Sequence, residues 1–148
     1  MLNKILKFIY KYALYIAFLQ AWAAVLGSLY FSEVRRDIPC LLCWYQRILM
    51  YPVAVIFPIS IIRKDKNVVY YVLPLSITGM IIATYQYLLQ MTSLSQVTPI
   101  NCDALGSCSA MQEIFLGFIT IPLMSLLAFS TITFLMLVIL KFKNDKRS

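Results

Sequence analysis

Residues 12–31 read YALYIAFLQAWAAVLGSLYF, twenty positions from Tyr12 to Phe31 without one charged side chain. At ~1.5 Å of rise per residue, a helix of that length covers ~30 Å, the thickness of a bilayer's hydrocarbon core. Backbone polar groups in hydrocarbon must be bonded within the protein, so a uniformly apolar run of this length crosses as a helix. The pattern recurs along the chain. Cys40 to Ile62 is interrupted only by Arg47, a third run opens at Val68 and stays uncharged past Met91, and a fourth extends from Ile114 to Leu140. The expectation is an all-α, polytopic membrane protein. Its 148 residues form a single membrane domain, a bundle of four transmembrane helices over approximately 12–31, 43–62, 68–91 and 114–140. Loops at 32–42 and 92–113 join the spans on one side.

Composition points the same way. Of the chain, 61% is hydrophobic and 13% charged, about half the charged share of an ordinary soluble domain. Lys4, Lys7 and Lys11 precede the first run as they would in a signal peptide, but the run is too long and lacks a small-residue cleavage site, so it is expected to be retained. Histidine is absent, which excludes a Ser-His-Asp triad, a Cys-His pair, His-ligated haem and a mixed His/Cys zinc site. No Gly-rich phosphate loop is found, and neither flavin nor metal is expected.

The net charge of +7 does not imply nucleic acid, because the basic residues are clustered between apolar runs. Ten of the thirteen Lys and Arg residues lie in three groups: Lys4, Lys7 and Lys11; Arg63, Lys64 and Lys66; and Lys141, Lys143, Lys146 and Arg147. Positive loops resist translocation, so both termini and the turn between spans two and three are expected in the cytoplasm. The first and third loops then face outward, and they or their edges carry all four cysteines.

Those cysteines form two pairs. Cys40-Leu41-Leu42-Cys43 stands at the expected start of the second helix, where unpaired N–H groups and the positive helix pole favour a thiolate, the species that attacks disulfides. Arg47, four residues after Cys43, shares its helical face and could hold a thiolate or an anionic ligand, or else anchor to lipid phosphate. Cys102 and Cys108 lie in the third loop. The eleven residues from Met91 to Cys102 can extend to ~37 Å, enough to bring the second pair to Cys40. Structural disulfides, a four-cysteine zinc site and a redox relay are all compatible with these residues.

The stretch Cys40-Leu41-Leu42-Cys43-Trp44-Tyr45-Gln46-Arg47 resembles the Cys-x-x-Cys-x-x-x-Arg signature of the DsbB thiol:quinone oxidoreductases. The segments around Gly27-Ser28, Tyr51-Pro52 and Ile121-Pro122, with the Cys-x5-Cys of the third loop, resemble the short Bacillus-type, BdbC-like members of that family. The resemblance runs from the first span to the fourth. It implies a protein of the bacterial plasma membrane that reoxidises an extracytoplasmic thioredoxin-fold thiol oxidase of BdbD or DsbA type and passes electrons to membrane quinone, menaquinone or ubiquinone.

By the same resemblance, Cys102 meets the partner and Cys108 is released to pair with Cys40, while Cys43 engages the quinone. Arg47 matches the family's quinone-associated arginine. Gln46 stands beside it where some members carry Glu, and is a weaker candidate for the same site. Two other readings remain at this point: an enzyme like the vitamin K epoxide reductases, and a non-catalytic membrane scaffold with stapled outer loops.

Overall fold

The computed structural model describes residues 2–34, 41–91, 113–115 and 119–145. Helix α1 spans Leu2–Glu33, α2 Leu41–Arg63, α3 Val68–Met91 and α4 Ile121–Asp145. Between α3 and α4 lie two short strands, β1 (Glu113–Phe115) and β2 (Ile119–Thr120), paired antiparallel with Glu113 opposite Thr120. The expected all-α membrane architecture is borne out, since the four helices among the described residues are all long and apolar enough to cross a bilayer.

The helix ends do not coincide with the ends of the charge-free runs. Helix α1 begins ten residues before Tyr12, and α4 continues past Leu140 to Asp145. Lysines at an interface do not stop a helix; their stems snorkel while the backbone continues. At the other end, α4 opens at Ile121 and not at Ile114, because part of the intervening segment pairs as strand. An apolar run alone does not separate strand from helix. Pro122 marks the boundary, as the first turn of a helix leaves its N–H groups unbonded and a proline there sacrifices nothing.

Neighbouring helices pack in a closed ring, α1 on α2, α2 on α3, α3 on α4 and α4 back on α1. Each contributes one buried face. Helix α1 offers Ala13, Ala17 and Ala21, a stripe at four-residue spacing that lets its backbone approach closely. Helix α2 contributes Val53, Ala54 and Phe57, α3 Val68, Val69 and Val72, and α4 Phe129, Ile132, Met136 and Ile139. The outward faces carry Leu19, Leu26, Ile48, Ile62, Ile81, Leu127 and Phe134, all exposed, as expected where the solvent is lipid.

Two details fix the bundle. Gly79 of α3 lies under the Phe129 ring of α4, so close that a Cβ there would overlap three ring atoms. Nearby, Thr133 Oγ1 is 3.0 Å from Ser76 Oγ, which itself donates to the Leu73 carbonyl, giving a buried polar link between α3 and α4. At one end of the ring, Lys66 Nζ donates to Tyr10 Oη and Lys143 Nζ to Asn67 Oδ1, both at 2.6 Å. The start of α1, the α2–α3 turn and the end of α4 therefore meet there. Helix α2 stops in a Schellman turn: Lys64, at φ 52°, donates to the Ile61 carbonyl and Asp65 N to the Ser60 carbonyl.

Candidate functional site

Cys43, Gln46 and Arg47 lie in the first two turns of α2, at the end of the bundle opposite the lysines. The twenty residues from Cys43 to Arg63 rise ~30 Å, so that separation is close to a membrane thickness. A spacing of three and four residues puts Gln46 and Arg47 one turn below Cys43 on neighbouring faces.

All three side chains line one cavity of about 230 Å³ between α1, α2 and α4. Its walls are largely small or apolar, including Ala23, Ala24, Gly27, Met50, Met124 and Ala128. Besides Cys43, Gln46 and Arg47, its polar lining residues among those described are Gln20, Ser28, Ser32, Tyr51 and Ser125, and Arg47 is the one charged residue among them.

Arg47 is half-buried and held across α1. Its Nη2 donates to the Ser28 carbonyl at 2.9 Å and to the Ser32 hydroxyl, and its guanidinium carbon lies 5.8 Å from the centre of the Trp44 ring. A guanidinium has five N–H donors. These contacts use only Nη2 among the described residues, and they aim a permanent positive charge at the cavity.

Gln46 is buried, 6% exposed, and its Nε2 donates to Gln86 Oε1 of α3 at 2.7 Å. Gln86 Nε2 in turn lies 3.2 Å from Cys43 Sγ, with the sulfur as acceptor. The expected site residues Cys43, Gln46 and Arg47 are thus brought together by the structure. Cys40, Cys102 and Cys108, with most of both expected redox loops, lie outside the described residues.

Gln86, Ser28 and Ser32 are absent from the expectations drawn from sequence. For the two serines the signal is the family-like segment around Gly27-Ser28, which gives them no role, since small hydroxyl residues are common in spans. For Gln86 there is a signal: an amide inside an apolar span must find a partner or pay for its burial.

The family described as "Disulfide bond formation protein DsbB" matches residues 10–139. The chain belongs to the DsbB family. Among its relatives, Disulfide bond formation protein C of Bacillus subtilis (strain 168) is 46% identical over 124 residues, 83% of this chain and 88% of that one. SPbeta prophage-derived disulfide bond formation protein B of the same strain is 41% identical over 116 residues, 78% of this chain and 76% of its own. A probable disulfide formation protein of Coxiella burnetii (strain RSA 493 / Nine Mile phase I) is 41% identical over 149 aligned positions, covering 99% and 97% of the two chains. No solved structure matches.

The resemblance seen around Cys40–Arg47 therefore holds at the level of the family, including its Bacillus members. This DsbB-family protein is a multi-pass membrane oxidoreductase of disulfide bond formation.

Proposed function

We propose that the chain reoxidises an extracytoplasmic thioredoxin-fold thiol oxidase, of BdbD or DsbA type, and delivers the electrons to membrane quinone. The observation that carries this reading is the convergence of Cys43, Gln46 and Arg47 on one apolar-walled cavity. The residues fit a quinone ring. Such a ring is flat and apolar on its faces and bears carbonyl oxygens at its edge, which suits walls of alanine and methionine with a guanidinium and an amide at one side. When bound, the quinone supplies an acceptor for two electrons and two protons. Arg47 and Gln46 would hold it, and Ser28 and Ser32 would keep Arg47 in place.

The chain's own chemistry is thiol–disulfide exchange. A partner thiolate attacks Cys102 of the Cys102–Cys108 disulfide, and Cys108 leaves as a thiolate. The second partner thiol then displaces Cys102, so the partner is oxidised and the loop pair reduced. Cys108 next attacks Cys40 of the Cys40–Cys43 disulfide, releasing Cys43 beside the cavity. Each step forms one S–S bond and breaks one.

The basic groups gathered at the far end of the bundle support the orientation, with both termini cytoplasmic and the cysteine loops outside the plasma membrane. The test is quinone-dependent oxidation of a reduced thioredoxin-fold partner by the purified protein in detergent. Loss of turnover in Cys43→Ser, and a trapped adduct through Cys102 in Cys108→Ser, are expected. Normal turnover in Cys43→Ser would refute the reading.

A further inference from the structure

We infer that Gln86 is a working part of the redox centre: its amide N–H stabilises the Cys43 sulfur as it takes up negative charge, and Gln46 holds that amide in the required sense. The inference rests on the reading of Cys43 as the inner sulfur of the relay.

Gln86 is 1% exposed, in a helix whose other buried residues are nearly all small or apolar. An amide buried there is costly unless both its ends are bonded. Gln46 Nε2 meets Oε1 at 2.7 Å, and Nε2 meets Cys43 Sγ at 3.2 Å. The sense of this chain matters because an amide has one donor end and one acceptor end. With Gln46 donating to its oxygen, Gln86 can present only N–H to the sulfur. Were both amides reversed, an oxygen would face the sulfur and oppose negative charge on it.

The step served is the exchange that opens the inner disulfide. The Cys108 thiolate attacks Cys40 sulfur, the Cys108–Cys40 bond forms, the Cys40–Cys43 bond breaks, and the electron pair departs on Cys43. One negative charge enters on Cys108 and one leaves on Cys43, so no proton or further oxidant is consumed. A preset donor at the atom where charge develops accelerates the step, as an oxyanion-hole N–H does in acyl transfer. Gln86 touches the reacting sulfur and is a catalytic residue on this account; Gln46 acts through it and is a positioning residue.

The test uses the full chain with Cys40, Cys102 and Cys108 changed to Ser, and measures the rate of Cys43 alkylation by iodoacetamide at neutral pH. Gln86→Met preserves length and removes the donor, and a fall of about tenfold is expected, equal to ~1.4 kcal/mol. Gln46→Met should slow the reaction about threefold by letting Gln86 turn, and the double variant should be no slower than Gln86→Met. Should Gln86→Met fail to fold, Gln46→Met reads the same chain from its far end. A merely structural role predicts the opposite sign, since looser packing exposes the thiol and speeds alkylation.

In the chain with all four cysteines, Gln86→Met should lower kcat for partner oxidation with little change in KM for quinone. Alkylation as fast as in the parent overturns the assignment of Gln86, whatever the turnover. Slowed alkylation together with full turnover in Cys43→Ser overturns the underlying relay and the catalytic role with it.

Discussion

Two glycines submit the packing of this bundle to a test in which one substitution has opposite signs. Glycine in a helix interior costs ~1 kcal/mol relative to alanine, so Gly→Ala in open space should stabilise by about that amount. Gly27 of α1 is such a site, with nothing within 4 Å of an added Cβ. At Gly79 the same methyl would meet Cε1, Cζ and Cδ1 of Phe129, the last at 2.6 Å. An ordinary carbon contact is near ~3.5 Å, so the ring must retreat by about 1 Å. Phe129 is fully buried, between α3 and the α4 backbone, and has no solvent to move into. Overpacking costs ~1–3 kcal/mol, and overlap with three ring atoms at once puts this case at ~2–3 kcal/mol, above the propensity gain of ~1 kcal/mol.

Gly79→Ala should therefore destabilise by ~1–2 kcal/mol while Gly27→Ala stabilises by up to ~1 kcal/mol. Unfolding can be followed by helical circular dichroism as SDS is titrated into detergent micelles. Phe129→Leu shortens the ring edge, so adding it to Gly79→Ala should recover part of the loss and reveal coupling of ~1 kcal/mol. A Gly79→Ala protein as stable as the parent, or strict additivity with Phe129→Leu, would refute the contact.

Other expectations follow from single sites. Arg47→Met should raise the KM for quinone about tenfold or more, the scale of a lost hydrogen bond from a charged group, with α-helical content retained; an unchanged quinone dependence returns Arg47 to a lipid-anchoring role. Lys64→Gly relieves a left-handed conformation and should stabilise by ~1 kcal/mol in the same SDS titration without altering turnover. Thr133→Val, which breaks the link to Ser76, should cost ~0.5–1 kcal/mol; no loss would mean the hydroxyl is satisfied by the Phe129 carbonyl alone.

The number of spans was legible because charge is so expensive in hydrocarbon that four uncharged runs can hardly be anything else. Helix limits were less so. Lys4, Lys7 and Lys11 continue α1, and Ile114, Phe115 and Ile119 lie in strands, because hydropathy reports depth in the membrane and not backbone conformation. At the site, Cys43, Gln46 and Arg47 could be grouped from a spacing that puts them on adjoining faces of one helix. Gln86 could not, because it lies forty residues from Gln46 and reaches it only when α3 packs on α2.

From its sequence alone this protein is determined to be a four-span membrane protein with a Cys-x-x-Cys and an arginine opening the second span, since these follow from local composition and helical periodicity. Tertiary structure alone decided that Ser28 and Ser32 hold Arg47, that Gln86 connects Gln46 to the Cys43 sulfur, and that Gly79 admits the Phe129 ring. Each of those is a contact between helices, set by the order in which the four pack, and hydropathy along the chain carries no record of which neighbour a given face will meet.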